Sequence, residues 1–129
     1  MARRERPNFV EMPSSNITIG PIRFDTARGE VSVDGKTTSL TAMESVVLYF
    51  LAVNANHVCT DNQIGSYIWR VNNVENSSLL KVYIRHLRYK IEPDPSNPTY
   101  ILTIPGVGYM LVSHDLDEAM QKTSANELQ

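Results

Sequence analysis

Lys81, Arg85 and Arg88 recur at spacings of four and three residues, with Ser78 leading them in. On a helix that spacing puts three cations in one stripe, and such a stripe binds a phosphate backbone by charge-assisted hydrogen bonds. Leu80, Ile84, Leu87 and Ile91 recur at four, three and four on a neighbouring face, which makes that face a buried one. Two apolar strands closed by Pro105-Gly106-Val107-Gly108 follow directly. A helix packed by one side and cationic on another, beside a projecting hairpin, fits a reader of duplex DNA.

A solvated helix face carries charges too, but this stripe stands beside a glycine-closed hairpin, and DNA contact outweighs the plain surface reading. Most protein–DNA hydrogen bonds go to phosphate and sugar, so the three cations read as anchors before readers. His86 and Tyr89 lie further round the helix; each either donates to a base edge or covers the adjacent elements. Tyr83 flanks the apolar stripe and reads as packing with its hydroxyl free to touch a phosphate. Gly106 and Gly108 suit a tight turn that needs positive φ. Tyr109 and Trp69 read as core, the indole N–H at the end of its helix reaching solvent or a phosphate.

No nucleophile–base pair, glycine-rich phosphate loop or paired carboxylates occur, so no catalytic residue and no cofactor are expected. Cys59 stands beside His57, but His86 and His114 are distant in sequence and no metal site assembles; a buried core thiol is the better reading. One cysteine allows no intrachain disulfide. The apolar run near residues 45–53 is too short to span a bilayer, and the start has no signal-peptide pattern, so a cytoplasmic chain is the default. The net charge of -2 argues at first against a nucleic-acid partner. Its distribution reverses that: Arg70, Lys81, Arg85, Arg88 and Lys90 face only Glu75 between Trp69 and Lys90, whereas acids dominate after Val112. Arg3, Arg4 and Arg6 could form a minor-groove arm, although a solubilising tail is favoured.

At 129 residues the chain has the size of one domain. Residues 1–16 read as a flexible arm, 17–112 as the folded domain and 113–129 as a polar acidic tail, in which Leu116, Ala119 and Met120 could form one helical turn. Ile17, Ile19, Ile22 and Phe24 alternate with other residues, and Asp34-Gly35 is a strong hairpin signal, giving three or four short antiparallel strands. Thr41 with Glu44, and Thr60 with Gln63, are capping-box patterns that open two helices. His57-Val58-Cys59 is a short extended link and Arg70–Asn76 a polar loop. The third helix runs over 77–92 and stops before Pro93 and Pro95; the hairpin occupies 98–112. The fold class is α+β: an N-terminal antiparallel sheet, three helices and a C-terminal β-hairpin wing, a winged helix-turn-helix.

These residues resemble the DNA-binding effector domain of OmpR/PhoB-type response regulators, shared with ToxR/CadC-type regulators. The matching pieces are Asp34-Gly35 before Leu40-Thr41-Ala42-Met43-Glu44, Ile68-Trp69, the run Val82 to Lys90, and Thr103-Ile104-Pro105-Gly106-Val107-Gly108-Tyr109. Together they cover about residues 17–112 in family order and spacing. The resemblance implies a third helix in the major groove and a wing at the adjacent minor groove. It implies DNA contact by Ser78, Lys81, Tyr83, Arg85, His86, Arg88 and Tyr89 of the helix and by Thr103, Pro105, Gly106 and Val107 of the wing. It also implies that the loop Arg70, Val71, Asn72, Asn73, Val74 and Glu75 contacts RNA polymerase, and that a second copy occupies an adjacent DNA repeat.

The chain departs from the pattern where the family often has a basic residue at the positions of Ser78 and Pro105, and Arg or Lys at those of His86 and Tyr89. Fewer cations mean fewer phosphate contacts and a shallower salt dependence. No receiver domain precedes residue 17, so control by phosphorylation is not implied. The expected function is a sequence-specific, double-stranded DNA-binding transcription regulator of bacterial type. The alternative is a winged-helix interaction module that acts on a partner regulator or RNA polymerase without strong DNA binding.

Overall fold

A computed structural model describes residues 16–72 and 79–114, with the side chain of Asn72 left out. Four strands, β1 (Asn16–Ile19), β2 (Ile22–Asp25), β3 (Glu30–Val33) and β4 (Lys36–Ser39), form an antiparallel meander in chain order. The register sets Ile22 opposite Val33 and Phe24 opposite Val31, so one face collects buried apolar side chains and the other stays polar. Asp34 and Gly35 both take positive φ, 53° and 81°, as the two-residue hairpin between β3 and β4 requires. Asn16, placed in the expected arm, belongs to β1 and pairs with Asp25. The rest of that arm and residues 115–129 of the expected tail, with its possible helical turn, lie outside the described residues.

The helix α1 (Ala42–Val53) starts at a full capping box. Thr41 Oγ1 accepts the Glu44 N–H at 3.2 Å and the Glu44 carboxylate accepts the Thr41 N–H at 3.0 Å. The same reciprocal pair, Thr60 with Gln63, opens α2 (Asp61–Asn72) at 3.0 and 2.9 Å. α1 buries Val46, Val47, Leu48, Leu51 and Ala52, as a central helix that packs against α2, α3 and the C-terminal sheet should. The third helix, α3 (Leu80–Ile91), buries Leu80, Ile84, Leu87 and Ile91, the four residues of the apolar stripe. Leu79 stands in the N-cap position with no side-chain cap, and Glu92 is the C-cap, one residue before Pro93; residues 77 and 78 of the expected helix lie outside the described residues.

The expected hairpin is present, and the link at His57-Val58-Cys59 adds a strand to it. Cys59–Thr60 is a short strand, β5, paired antiparallel with β7 (Gly108–Leu111), which also pairs with β6 (Ile101–Ile104). The wing is therefore the outer part of a three-stranded sheet in the order β5-β7-β6. Its two glycines act for different reasons. Gly106 has φ 76° in the turn Ile104–Val107, closed by Val107 N–H to Ile104 O at 2.9 Å, with Pro105 ahead of it as a type II turn favours. Gly108 is not among the positive-φ residues; it is required because a Cβ there would stand 2.0 Å from the Cys59 carbonyl oxygen. The expectation of positive φ at Gly108 is thus replaced by close backbone approach between β5 and β7.

The two glycines should separate in a stability measurement. Gly106→Ala meets open space and costs only the left-handed conformation, about 1–2 kcal/mol. Gly108→Ala must push β5 away from β7 and should cost at least about 3 kcal/mol. Thermal or urea unfolding of the two variants checks the order; equal losses would remove the close-approach explanation.

Candidate nucleic-acid interface

The cations of α3 do not share one fate. Lys81 and Arg85 are exposed and bond to no other described residue. Tyr89, four residues beyond Arg85 on the same face, is 78% exposed. Lys81, Arg85 and Tyr89 therefore form one outward stripe opposite the buried stripe.

Arg88 leaves that stripe. Its Nε and Nη2 donate to the Ile101 carbonyl at 3.1 and 2.8 Å, and Nη2 also donates to Thr103 Oγ1 at 2.7 Å. Its guanidinium lies 5.8 Å from the centre of the Tyr109 ring. Arg88 and Thr103, both expected at the DNA, thus also bond to each other within the fold. Together they join the third helix to the wing and set the angle between them.

Lys90 and His86 turn toward α1. Lys90 Nζ bonds the Glu44 carboxylate at 2.6 Å and the Ser39 carbonyl at 2.9 Å, while His86 Nδ1 lies 3.4 Å from the other Glu44 oxygen. Glu44 itself is buried, with 3% of its side chain accessible. Burial acts to raise its pKa, but Lys90, the Thr41 N–H and His86 outweigh burial and hold it below the ordinary carboxylate value. Half-exposed His86 thus lies at the joint between α3 and α1.

Glu92 is a further functional carboxylate that the sequence did not single out. It is buried, and it accepts the backbone N–H groups of Thr99 at 2.8 Å, Tyr100 at 3.0 Å and Ile101 at 2.7 Å. It therefore fixes the start of the wing to the end of α3 by charge-assisted hydrogen bonds. No spacing rule reveals it, because its partners are backbone groups seven to nine positions away.

Of the remaining expected contacts, Tyr83 is half-buried against the core and Pro105, Gly106 and Val107 are exposed at the wing tip. Ser78 and the loop residues Asn73, Val74 and Glu75 lie outside the described residues. Arg70, Val71 and Asn72 are the last turn of α2 and not a loop. Val71 is buried, whereas Arg70 is exposed with its guanidinium 5.6 Å from the Tyr67 ring centre. Trp69, expected in the core, is 51% exposed. With Phe50, Val58, Tyr67 and Arg70 it lines an open cleft of about 980 Å³. Cys59 is a buried thiol whose pKa burial pushes up, which makes it a poor nucleophile. No helix among the described residues is long and apolar enough to cross a membrane, and they hold no metal-binding cluster.

Two variants test these assignments. Glu44 lowers its pKa on folding, so its ion pair contributes in full above the ordinary value of 4.5 and is lost as pH falls through the lower folded value. Glu44→Gln should cost about 3 kcal/mol at neutral pH and flatten the acid limb of the stability curve. An unchanged acid limb would show that Glu44 does not control it. Arg88→Ala should lose about 2 kcal/mol and shift the amide resonances of Ile101 and Thr103, and Arg88→Lys should not restore them. Restoration by lysine would mean that charge alone suffices there.

The comparisons agree with this geometry. The family described as "Transcriptional regulatory protein, C terminal" matches residues 35–111. The sensory transduction protein RegX3 of Mycobacterium tuberculosis is 37% identical over 109 residues, 84% of this chain and 48% of that protein. The chain thus spans about half the length of the curated relatives it matches. Among solved structures, the response regulator DrrB of Thermotoga maritima, an OmpR/PhoB homologue, superposes with TM-score 0.66 at 33% identity over 75% of this chain and 44% of DrrB. The DNA-binding domain of CpxR from E. coli superposes with TM-score 0.60 at 26% identity, covering 78% of this chain and 98% of that domain. With its N-terminal sheet, three helices and C-terminal wing, the chain belongs to the OmpR/PhoB-type family of transcriptional regulatory C-terminal domains.

Proposed function

We propose that this chain binds double-stranded DNA in a sequence-specific way and regulates transcription, with α3 in the major groove and the wing at the adjacent minor groove. The observation that carries the reading is the outward stripe Lys81, Arg85 and Tyr89 on a helix whose opposite face is fully buried. The two cations supply phosphate anchoring and Tyr89 supplies a hydroxyl that can bond a base edge. The length of α3, 12 residues, gives about three turns, enough to lie along one stretch of groove. The protein acts on DNA as a binder with no reaction of its own, in the cytoplasm where bacterial DNA resides, and a second copy takes an adjacent direct repeat.

A second surface supports contact with RNA polymerase. Trp69 and Arg70 end α2 in an exposed aromatic-cationic pair, just before the segment 73–75 that the family resemblance points to. Aromatic residues and arginine are enriched where one protein anchors another. If that surface alone carries the function, partner capture will survive charge reversal at Lys81 and Arg85.

Selection of bound duplexes from a random pool, followed by titration at several salt concentrations, tests the DNA reading. Lys81→Ala and Arg85→Ala should weaken all duplexes alike and each reduce the salt slope by about 0.9. Tyr89→Ala should leave the slope unchanged and alter the selected sequence. Absence of any shift at low salt with an intact fold would overturn the reading.

A further inference from the structure

From Pro98 to Val112 the chain holds no Asp, Glu, Lys or Arg. The wing tip therefore presents only Pro105, Gly106 and Val107, the last 43% exposed. A cationic wing would enter a minor groove by neutralising the negative potential there. This tip has no charge to do so.

The tip is also held in place from three sides. The turn closes on itself through Val107 N–H to Ile104 O at 2.9 Å. The first residue of α2 holds it from below, Asp61 N–H donating to Val107 O at 3.0 Å. The base is fixed by Arg88 to Ile101 and Thr103, and by the pairing of Thr60 with Gly108. A tip pinned in this way loses little conformational freedom on docking. Its apolar side chains are exposed to solvent.

We propose that the wing reads the minor groove by apolar contact, with Val107 as its specificity-determining residue and a groove floor lacking the guanine amino group as its target. This rests on the DNA-binding reading above. In the minor groove a G·C pair adds the guanine N2 amino donor, which an A·T pair lacks. The Val107 and Pro105 side chains offer that donor no acceptor, so pressing them against it leaves a desolvated amino group unpaired. Both kinds of floor share the N3 and O2 acceptors, so the unpaired amino group is the difference between them, and the contact costs less where that group is absent. The anchoring cations supply the salt dependence, and the wing supplies a salt-independent preference.

The probes are poly(dI–dC) and poly(dG–dC), which present the same acceptors in the major groove and differ by the minor-groove amino group. The whole chain is titrated against both by fluorescence anisotropy between about 50 and 200 mM salt. The wild type should bind poly(dI–dC) more tightly. Val107→Ala should weaken that binding about five-fold at every salt concentration with an unchanged slope, and affect poly(dG–dC) little. Pro105→Arg should steepen the slope by about 0.9 and reduce the difference between the polymers. Binding that depends on Arg85 but is indifferent to Val107, or a slope that changes in Val107→Ala, overturns the wing assignment alone. If the intact, folded chain binds neither polymer, the DNA-binding reading falls and the wing contact falls with it.

Discussion

One buried carboxylate holds the domain together. Glu44 completes the cap of α1, pairs with Lys90 of α3 and stands beside His86, while Lys90 reaches on to the carbonyl that ends β4. A desolvated carboxylate is costly unless its oxygens are satisfied, and here each oxygen has a partner. The N-terminal sheet, the central helix and the third helix therefore meet at one charged point, surrounded by an otherwise apolar core. Removing the Lys90 charge would leave buried Glu44 with only the Thr41 N–H and His86 as partners.

The wing depends on the same economy of charge. Arg88 and Glu92 sit four residues apart at the end of α3, and both reach into the start of the C-terminal hairpin, one as donor and one as acceptor. Between them they satisfy the Ile101 carbonyl and the N–H groups of Thr99 to Ile101. The strand β5 adds a third support from the opposite edge. Helix and wing thus form one rigid unit, and two surfaces that approach a DNA duplex together need that fixed geometry.

Much of this was legible in the residues because it rests on local chemistry. The two capping boxes, the apolar stripe of α3 and the Asp34-Gly35 hairpin each follow from side chains within a turn of one another, and each is where the spacing puts it. What the spacing does not reveal has a common origin in long-range partners. Arg88 shares the spacing of Lys81 and Arg85, yet it also bonds the Ile101 carbonyl, 13 residues away on β6. β5 was invisible because two residues carry no periodicity. Trp69 lies among apolar neighbours in sequence, but the face of α2 that meets α1 is occupied by Ile64, Tyr67 and Ile68. Gly108 looked like a turn glycine because its neighbour is one; only the closeness of β5 distinguishes it.

The division of labour along α3 bears on how such a domain can change over generations. Its C-terminal half is tied to three other elements by Arg88, Lys90 and Glu92, so substitution there endangers the whole scaffold. Lys81, Arg85 and Tyr89 hold no described part of the fold in place. Mutations at those three positions are nearly free of structural cost, and surface changes of that kind usually alter stability by less than about 0.5 kcal/mol. The fold therefore leaves its outward face open to drift. Three side chains on that face can be exchanged while the frame that presents them stays as it is.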